Sequence, residues 1–187
     1  MAESATVEEA IQNILKAICE TLGWDLGELW IPEDSWPTPV PNSQRLHTQS
    51  LGCSNLWLSP SSQASELIEQ LGQITFNLGV GLPGRIWETG SLHWITDIVD
   101  DPNFLRAESA RKDGLHGAFG FPILDDREVL GVMTFYSHSI EQPDPDLIEK
   151  MENIGSQIGQ FIRRKQTELK LKEAQDRLQA VMDNSTA

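Results

Sequence analysis

Side chains that could perform chemistry are sparse in this chain, which has two cysteines and four histidines among 187 residues. The two cysteines, Cys19 and Cys53, do not make a disulfide framework or a zinc site. Cys19 lies beside Ile18 on the apolar face of a predicted helix, where a thiol is buried and inert. Cys53 alone cannot run a thiol–disulfide cycle. The sequence therefore predicts no thiol catalysis.

A glycine-rich stretch at 79–84 is the next candidate, because glycine-rich loops before helices can hold phosphate groups. The stretch lacks the Lys-Ser/Thr of a P-loop, and Pro83 removes one backbone amide donor. A tight turn that needs positive φ angles explains these glycines better than a phosphate site does.

Paired carboxylates occur at Asp100-Asp101 and Asp125-Asp126, and both pairs fall in predicted turns. Helix capping or loop formation explains acidic residues in turns better than acid–base catalysis does. No catalytic residue is predicted, and we expect the domain not to be an enzyme.

Composition excludes several functional classes. The formal net charge of −14 and the pI of about 4.5 argue against binding to nucleic acid or to anionic membranes. No apolar run approaches the ~20 residues of a membrane span, and the first residues do not read as a secretory signal. We expect a soluble, cytoplasmic protein with one domain and an extension, since residues 163–187 form a mildly basic tail on an acidic body.

The predicted elements begin with a helix. Thr6 and Glu9 form a capping box, and apolar residues recur at helical spacing until Gly23. A strand is predicted at Leu26–Ile31, and weaker alternation predicts another at Arg45–Leu51.

Two further helices are predicted at 61–74 and at 101–110, the second capped by Asp101 with Pro102 in the first helical position. The apolar runs Ala118–Leu124 and Val129–Ser137 predict a β-hairpin around a four-residue loop. Hairpins flanked by helices indicate an α+β fold.

The last predicted element is a long helix from Asp144 to about Met182, which would measure ~58 Å at 1.5 Å per residue. This exceeds the width of the domain, so its far half should pair with another chain. A second apolar stripe begins there, one residue early against a strict heptad, which favours a coiled coil with two registers of similar energy. The predicted dimer seam consists of Leu171, Ala174, Leu178 and Val181.

Six motifs follow one another between Phe76 and Ser137. They are Phe76-x-x-Gly79-x-Gly81-Leu82-x-Gly84-Arg85-x-Trp87-Glu88, Trp94-x-x-Asp97, Phe104-x-Arg106-Ala107, Ala110-x-x-x-Gly114-Leu115, Ala118-Phe119-x-Phe121-Pro122-Ile123 and Leu130-Gly131-Val132-x-x-Phe135. This ordered set resembles a GAF domain, the small-molecule sensory module of bacterial signalling proteins. It is most similar to GAF domains of cyanobacterial and other bacterial sensor histidine kinases, and the end of the chain resembles the entry into a PAS domain.

The resemblance implies a central antiparallel sheet of about six strands, with the N- and C-terminal helices on one face and a ligand pocket on the other. It divides the chain into a sensory domain at 1–162 and a signalling helix at 163–187 that would run into a PAS-like domain. The expected partners are a second copy of the chain, through the terminal helices, and an unknown small molecule.

The resemblance also suggests cofactors to consider. Some GAF sensors ligate haem through a histidine near the position of His116, and His93 is a second candidate. Bilin-binding relatives use a cysteine in the preceding helix, and no cysteine lies between Gly90 and Ala187, so a covalent bilin is not expected. Relatives that reduce free methionine sulfoxide need a cluster of cysteines, which two cysteines do not supply.

Aromatic residues could line an apolar pocket for a flat ligand, and the alternative interpretation is that some of them form the core. The residues predicted to line the ligand pocket are Trp57, Trp94, Phe104, His116, Phe119 and Phe121.

These observations predict a non-enzymatic sensing and dimerisation module of a multidomain signalling protein, with a histidine kinase as the expected context. The alternatives are a haem-based gas or redox sensor that uses His116, and a ligand-free domain kept for its dimer interface.

Overall fold

A single antiparallel sheet of six strands organises the domain. The computed structural model describes residues 6–33 and 50–186, and within them the strand order is β3-β2-β1-β6-β5-β4. The strands are β1 (Leu26–Pro32), β2 (Ser50–Leu58), β3 (Thr75–Asn77), β4 (His93–Ile95), β5 (Gly117–Asp125) and β6 (Glu128–Ser137). The helices are α1 (Val7–Leu22), α2 (Ser65–Glu69), α3 (Gly81–Thr89), α4 (Ala107–Lys112) and α5 (Pro145–Ser185), with a 3₁₀ turn at Ile98–Asp100. The predicted α+β class and the six-stranded sheet are confirmed.

Alternation along the strands divides the core into two layers. On β5, Phe119 and Phe121 belong to the layer covered by α1 and α5, while Ala118 faces the opposite layer. The same alternation places Leu29 of β1 in the first layer and Trp30 in the second, because successive side chains of a strand point to opposite faces. We call these the α1/α5 layer and the α2–α4 layer, after the helices that cover them. The predicted placement of the first and last helices on one face is confirmed.

The two terminal helices begin where the sequence predicts. The Thr6 hydroxyl accepts a hydrogen bond from the Glu9 amide, and the Glu9 carboxylate accepts one from the Thr6 amide, which completes the capping box. Asp144 caps α5 by accepting bonds from two amides of its first turn. α5 runs for 41 residues, which corresponds to a length of about 60 Å.

The middle of the chain departs from the sequence prediction. The helix predicted at 61–74 is only the short α2, and the helix predicted from Asp101 begins instead at Ala107. Asp101 caps a turn and not a helix, because its carboxylate accepts from the Asn103 amide and pairs with Arg85. The strand predicted at 45–51 lies largely outside the described residues.

The hairpin of β5 and β6 is tighter than predicted, since pairing continues to Asp125 and Glu128. Asp126 takes a positive φ of 55° in the remaining two-residue turn, a conformation that Asp tolerates better than most residues. At the glycine-rich stretch, Gly79 and Gly81 have φ of 75° and 66°, which confirms the tight-turn interpretation. Among the described helices, none is long and apolar enough to cross a membrane.

Candidate functional site

A fully buried ion pair lies at the centre of the α2–α4 layer. The guanidinium of Arg106 binds the carboxylate of Glu28 through two parallel hydrogen bonds, Nη1 to Oε1 and Nη2 to Oε2, both 2.9 Å long. The side chains are 1% and 0% exposed, respectively. Bidentate geometry makes this the strongest form of carboxylate–arginine pairing, and burial makes it costly to break.

Three further polar side chains complete the network around Glu28. Its Oε2 also accepts hydrogen bonds from the indole nitrogen of Trp30, at 2.9 Å, and from the hydroxyl of Thr134, at 3.1 Å. The Tyr136 hydroxyl accepts from Arg106 Nη2 at 2.9 Å and donates to Thr134. We call the five residues Glu28, Trp30, Arg106, Thr134 and Tyr136 the Arg106 centre.

Aromatic rings surround the guanidinium. Its central carbon lies 5.3 to 5.9 Å from four ring centroids, within the range of a cation–π interaction. The rings are those of Trp30, Phe76, Phe104 and Tyr136. The arrangement is an aromatic cage with a carboxylate at its base.

The sheet positions most of this centre. In the pairing of β1 with β6, Glu28 lies opposite Thr134, and β1 residue Leu26 lies opposite Tyr136. Side chains at positions i and i+2 share a face, so Glu28 and Trp30 are placed together by β1, and Thr134 and Tyr136 by β6. Arg106 comes from a different element, the segment that leads into the six-residue helix α4.

Burial and charge set the ionisation of the centre. Burial alone would lower the pKa of Arg106, but the adjacent Glu28 carboxylate outweighs burial and holds that pKa above its ordinary value. Burial, and then the Glu28 charge, raise the pKa of Tyr136, so its hydroxyl stays protonated and can donate. The same two causes raise the pKa of Cys53 to about 12. The centre therefore holds the Arg106 cation paired with the Glu28 carboxylate, beside a Tyr136 hydroxyl that stays protonated.

One donor of the Arg106 centre has no hydrogen-bond acceptor. Among the described residues, Arg106 Nε is one of two buried side-chain nitrogen or oxygen atoms without a partner, the other being the hydroxyl of Ser62. The cage therefore accepts hydrogen bonds from the two terminal nitrogens of the guanidinium, whereas Nε, which joins the guanidinium to the rest of the side chain, has no acceptor.

The residues predicted to line the ligand pocket are divided between the layers. Phe104 lies in the α2–α4 layer, against Tyr136. Phe119 and Phe121 are fully buried in the α1/α5 layer, where Trp94 stacks on Phe119 at 5.2 Å between ring centroids.

Trp57 is partly buried against the α1/α5 layer as well. It lines a surface cleft of about 250 Å³ beside Trp24 and Ser59. Four of the six predicted residues thus lie on the side of the sheet opposite Phe104 and the Arg106 centre.

His116 lies at the start of β5, with its side chain 38% exposed. Its Nδ1 is 3.1 Å from the Asp97 carboxylate, and its backbone carbonyl accepts from the Ile98 amide. A carboxylate is a usual second partner of a metal-binding imidazole. However, the neighbouring Leu115 and Ala118 are fully buried in the α2–α4 layer, so a porphyrin beside His116 would require this layer to repack, and the residues around His116 do not fit a haem.

His93, the second candidate, is 2.9 Å from the Thr89 hydroxyl. Burial, followed by the charge of Arg85, lowers its pKa, which favours the neutral ring. Within the described parts of the chain, no three His, Cys, Asp or Glu side chains are grouped as a metal site.

The predicted dimer seam lies on the part of α5 that extends beyond the domain. Residues 167–186 are exposed throughout, and Leu171, Leu178 and Val181 are 59%, 66% and 66% exposed. Leu171 follows the buried Ile162 by nine residues, about two and a half turns at 3.6 residues per turn. The seam therefore continues the side of α5 that faces away from the sheet.

Glu28 and Arg106 were not among the predicted site residues. A charged residue within the otherwise apolar run Leu26–Ile31 was the available signal, since a buried charge requires a partner. The partner is 78 residues away in sequence, and no local pattern identifies it.

Comparisons with known proteins agree on the family and the fold. A family model described as GAF domain matches residues 4–163. A comparison with curated protein sequences finds no match.

Among solved structures, the chain is similar to the GAF domain of a phosphoenolpyruvate-protein phosphotransferase from Coxiella burnetii, with a TM-score of 0.67, 19% identity, and 89% of this chain and 88% of that chain covered. It is similar to a domain of a putative two-component sensor histidine kinase from Sinorhizobium meliloti, with a TM-score of 0.63, 14% identity, and coverage of 90% and 99%. It is also similar to a free methionine-R-sulfoxide reductase from Neisseria meningitidis, with a TM-score of 0.60, 14% identity, and coverage of 85% and 79%. At these identities the likeness shows a shared fold, and the fold includes both regulatory modules and enzymes.

Proposed function

The chain belongs to the GAF family, and from this premise we propose that it is a non-enzymatic sensing module of a bacterial signalling protein that dimerises through α5. In this proposal a small molecule alters the α2–α4 layer, and α5 carries the change to a following output domain. A cytoplasmic sensor histidine kinase is the proposed context, in line with the similar domain from a putative two-component kinase.

The observation that carries the proposal is the division of α5 into two halves with different apolar faces. The first half buries Met151, Ile158 and Ile162 against the sheet, whereas the second half exposes its apolar seam. A helical segment that packs against nothing lacks the tertiary contacts that supply most helical stability in proteins, and an exposed apolar seam at heptad spacing is best covered by a second helix.

The junction between sheet and helix supports signal transfer through α5. Two glycines of α5 face β5 so closely that a Cβ would clash with strand carbonyls, Gly155 with Pro122 and Gly159 with Leu124. β5 also contributes Ala118 to the α2–α4 layer on its other face. A displacement of β5 from that layer would therefore reach α5 directly, because close-packed elements transmit small shifts.

Arg163 marks the point where α5 leaves the domain. Its guanidinium binds Asp125 at 2.7 Å and Glu128 at 2.6 Å, the two residues that flank the turn of the β5–β6 hairpin. The hairpin thus holds α5 at a fixed rotation just before the seam begins.

The cysteines support a non-enzymatic function. Cys19 packs in the α1/α5 layer and Cys53 against the α2–α4 layer, so the sheet separates them and they cannot form a thiol–disulfide pair. Burial raises the pKa of both thiols to about 12, which keeps them protonated and weakly nucleophilic.

Disulfide crosslinking tests the proposed dimer. Variants Leu171→Cys and Leu178→Cys should each form crosslinked dimers under mild oxidation, since seam residues of a parallel coiled coil face their counterparts. Glu173→Cys and Asp176→Cys are matched controls, because each lies two residues, more than half a turn, from the corresponding seam position. Equal crosslinking at all four positions, or none at the seam, would contradict the proposal.

A further inference from the structure

The four-ring cage around Arg106 has the composition of a binding site for an organic cation. Aromatic faces and a carboxylate together attract guanidinium and alkylammonium groups, and here all of these groups are buried and directed at one point. In the structure the protein's own guanidinium fills that point.

Most groups that form the cage lie on strands, whereas the group that fills it does not. Glu28 and Trp30 are on β1 and Tyr136 is on β6, at the centre of the sheet. Arg106 lies immediately before α4, which has six residues and no side-chain hydrogen bond at its N-terminus. Three rings and the carboxylate of the cage are therefore on strands, while the occupant and Phe104 are on a short covering segment.

The unbonded Nε of Arg106 shows that the occupant fits the cage incompletely. Its two terminal nitrogens bond to both oxygens of Glu28 and to the Tyr136 hydroxyl, while the third nitrogen, which carries the tether, is buried without an acceptor. A free cation of the same type is not tied to the backbone, so it can rotate within the cage until its donors meet acceptors.

The buried carboxylate of Glu28 favours a cation over an anion as the ligand. An anion bound to Arg106 would have to displace Glu28, which would then remain on a central strand as an unpaired buried carboxylate. A cation that displaces Arg106 keeps Glu28 paired and releases an arginine into water. The net charge of −14 also concentrates cations near the protein.

We infer that the α2–α4 layer is a site for a small guanidinium or alkylammonium compound, and that Arg106 is a tethered internal ligand which such a compound displaces. This inference rests on the proposed sensing function and specifies its ligand class. Displacement moves Arg106 and Phe104 together with the start of α4, and leaves three rings of the cage on strands.

The first test removes the internal ligand with Arg106→Ala and adds ethylguanidinium chloride, which supplies the deleted atoms. Ethylguanidinium should bind this variant and raise its melting temperature, while ethylurea, the neutral analogue, and sodium chloride at equal ionic strength should not. Adding Glu28→Gln should weaken the binding at least tenfold. Arg85→Ala, which removes a partly exposed arginine, should gain no such binding.

The second test measures hydrogen exchange in the unmodified chain, so its main result does not depend on how well the variant folds. Ethylguanidinium should accelerate hydrogen exchange of the α4 amides without changing that of β6. This effect on hydrogen exchange should require at least tenfold more ethylguanidinium than binding to Arg106→Ala requires, because the tethered arginine competes at a high effective concentration.

Equal binding of ethylurea and ethylguanidinium to Arg106→Ala would overturn the inference, since it would mean an ordinary cavity. Unchanged α4 exchange in the unmodified chain would also overturn it. Seam crosslinking without cation binding would refute this inference alone, whereas cation binding without seam crosslinking would refute the proposed dimer alone.

Discussion

At the scale of residues, the Arg106–Glu28 pair dominates the energetics of the α2–α4 layer. Removing one partner of a buried ion pair leaves an uncompensated charge, which typically costs 3–5 kcal/mol, whereas removing both is often nearly neutral. The pair is fully buried and bidentate, so this contrast should be pronounced here.

Glu28→Gln and Arg106→Met should each lower the free energy of unfolding by about 3–5 kcal/mol, and the double variant by much less than the sum of both. Urea unfolding of the four proteins in the cycle provides the measurement. The matched cycle at Arg85 and Asp101, a partly exposed pair 2.6 Å apart, should give a coupling of about 1 kcal/mol or less. Equal coupling in the two cycles would show that burial does not set the strength of the Arg106 pair.

The raised pKa values of the buried thiols predict that the folded protein loses stability at high pH. Burial, and then the nearby Asp25 charge, raise the pKa of Cys19 from 9.0 to about 12, so above pH 9 the unfolded chain loses a proton that the folded chain keeps. Stability should be complete below pH 9 and fall as pH rises toward 12, with a slope of up to about 1.4 kcal/mol per pH unit for each buried thiol.

Urea unfolding at several pH values between 8 and 11 measures this slope. The variant Cys19→Ala should have a smaller slope of unfolding free energy against pH. Any stability that the substitution itself costs should be the same at every pH below 9. A slope that is unaffected by the substitution would mean that other groups cause the alkaline loss.

At the scale of elements, contacts distant in sequence decide where the short helices begin. α2 has no side-chain cap from its own N-terminus, and Asp113, just after α4, accepts hydrogen bonds from the amides of Glu66 and Leu67 instead. This explains why the helix begins at Ser65 and not at Ser61 or Ser62, since capping by a carboxylate fixes the first turn.

Asp113→Ala should therefore cost about 1 kcal/mol of stability, because it leaves two α2 amides without their acceptor. Asp113→Asn keeps an acceptor of the same length and should cost a few tenths of a kcal/mol. Thermal unfolding of both variants makes the comparison. If the alanine and asparagine variants were equally stable, the carboxylate would not act as the cap of α2.

The contact between α5 and β5 predicts a second effect at this scale. Glycine inside a helix ordinarily costs about 1 kcal/mol relative to alanine, so Gly159→Ala would stabilise a free helix. Here the added methyl group would clash with the Leu124 carbonyl, and the net result should be a destabilisation of about 1–3 kcal/mol.

Gly72→Ala is the control, since a Cβ at Gly72 meets no atom within 4 Å. Chemical denaturation should show a loss for Gly159→Ala and little change for the control. A stabilised Gly159→Ala variant would mean that α5 does not approach β5 closely in solution.

At the scale of the whole molecule, the domain and the exposed half of α5 should behave as separable parts. Residues 167–186 are exposed, so changes there should leave the core intact. Leu171→Asp combined with Leu178→Asp places charges in the seam and should convert a dimer into a monomer.

Light scattering after size-exclusion chromatography would measure the mass, and circular dichroism at 222 nm the helix content. The seam variant should lose part of its helix signal, because the exposed part of α5 would lack the packing that stabilises it. Its core should melt at an unchanged temperature. Asp176→Lys, away from the seam, should remain dimeric. A seam variant that stays dimeric would place the dimer interface elsewhere.

Local patterns in the sequence were sufficient for the elements whose contacts are local. The Thr6–Glu9 capping box, the Asp144 cap and the β5–β6 hairpin are each specified within a few residues, and the structure confirms them. The length of α5 is also specified locally, because its Asp144 cap and its helical pattern lie within one continuous segment.

Only the tertiary structure decided the content of the two layers. Composition could not show that Phe119 and Trp94 lie on one face of the sheet and Phe104 on the other. The face that a strand residue occupies depends on strand register, which is fixed by pairing between strands distant in sequence. The pairing of Glu28 with Arg106 arises in the same way. The sequence required that a charge in β1 be neutralised if buried, but the choice of partner belongs to the packing of α4 on the sheet.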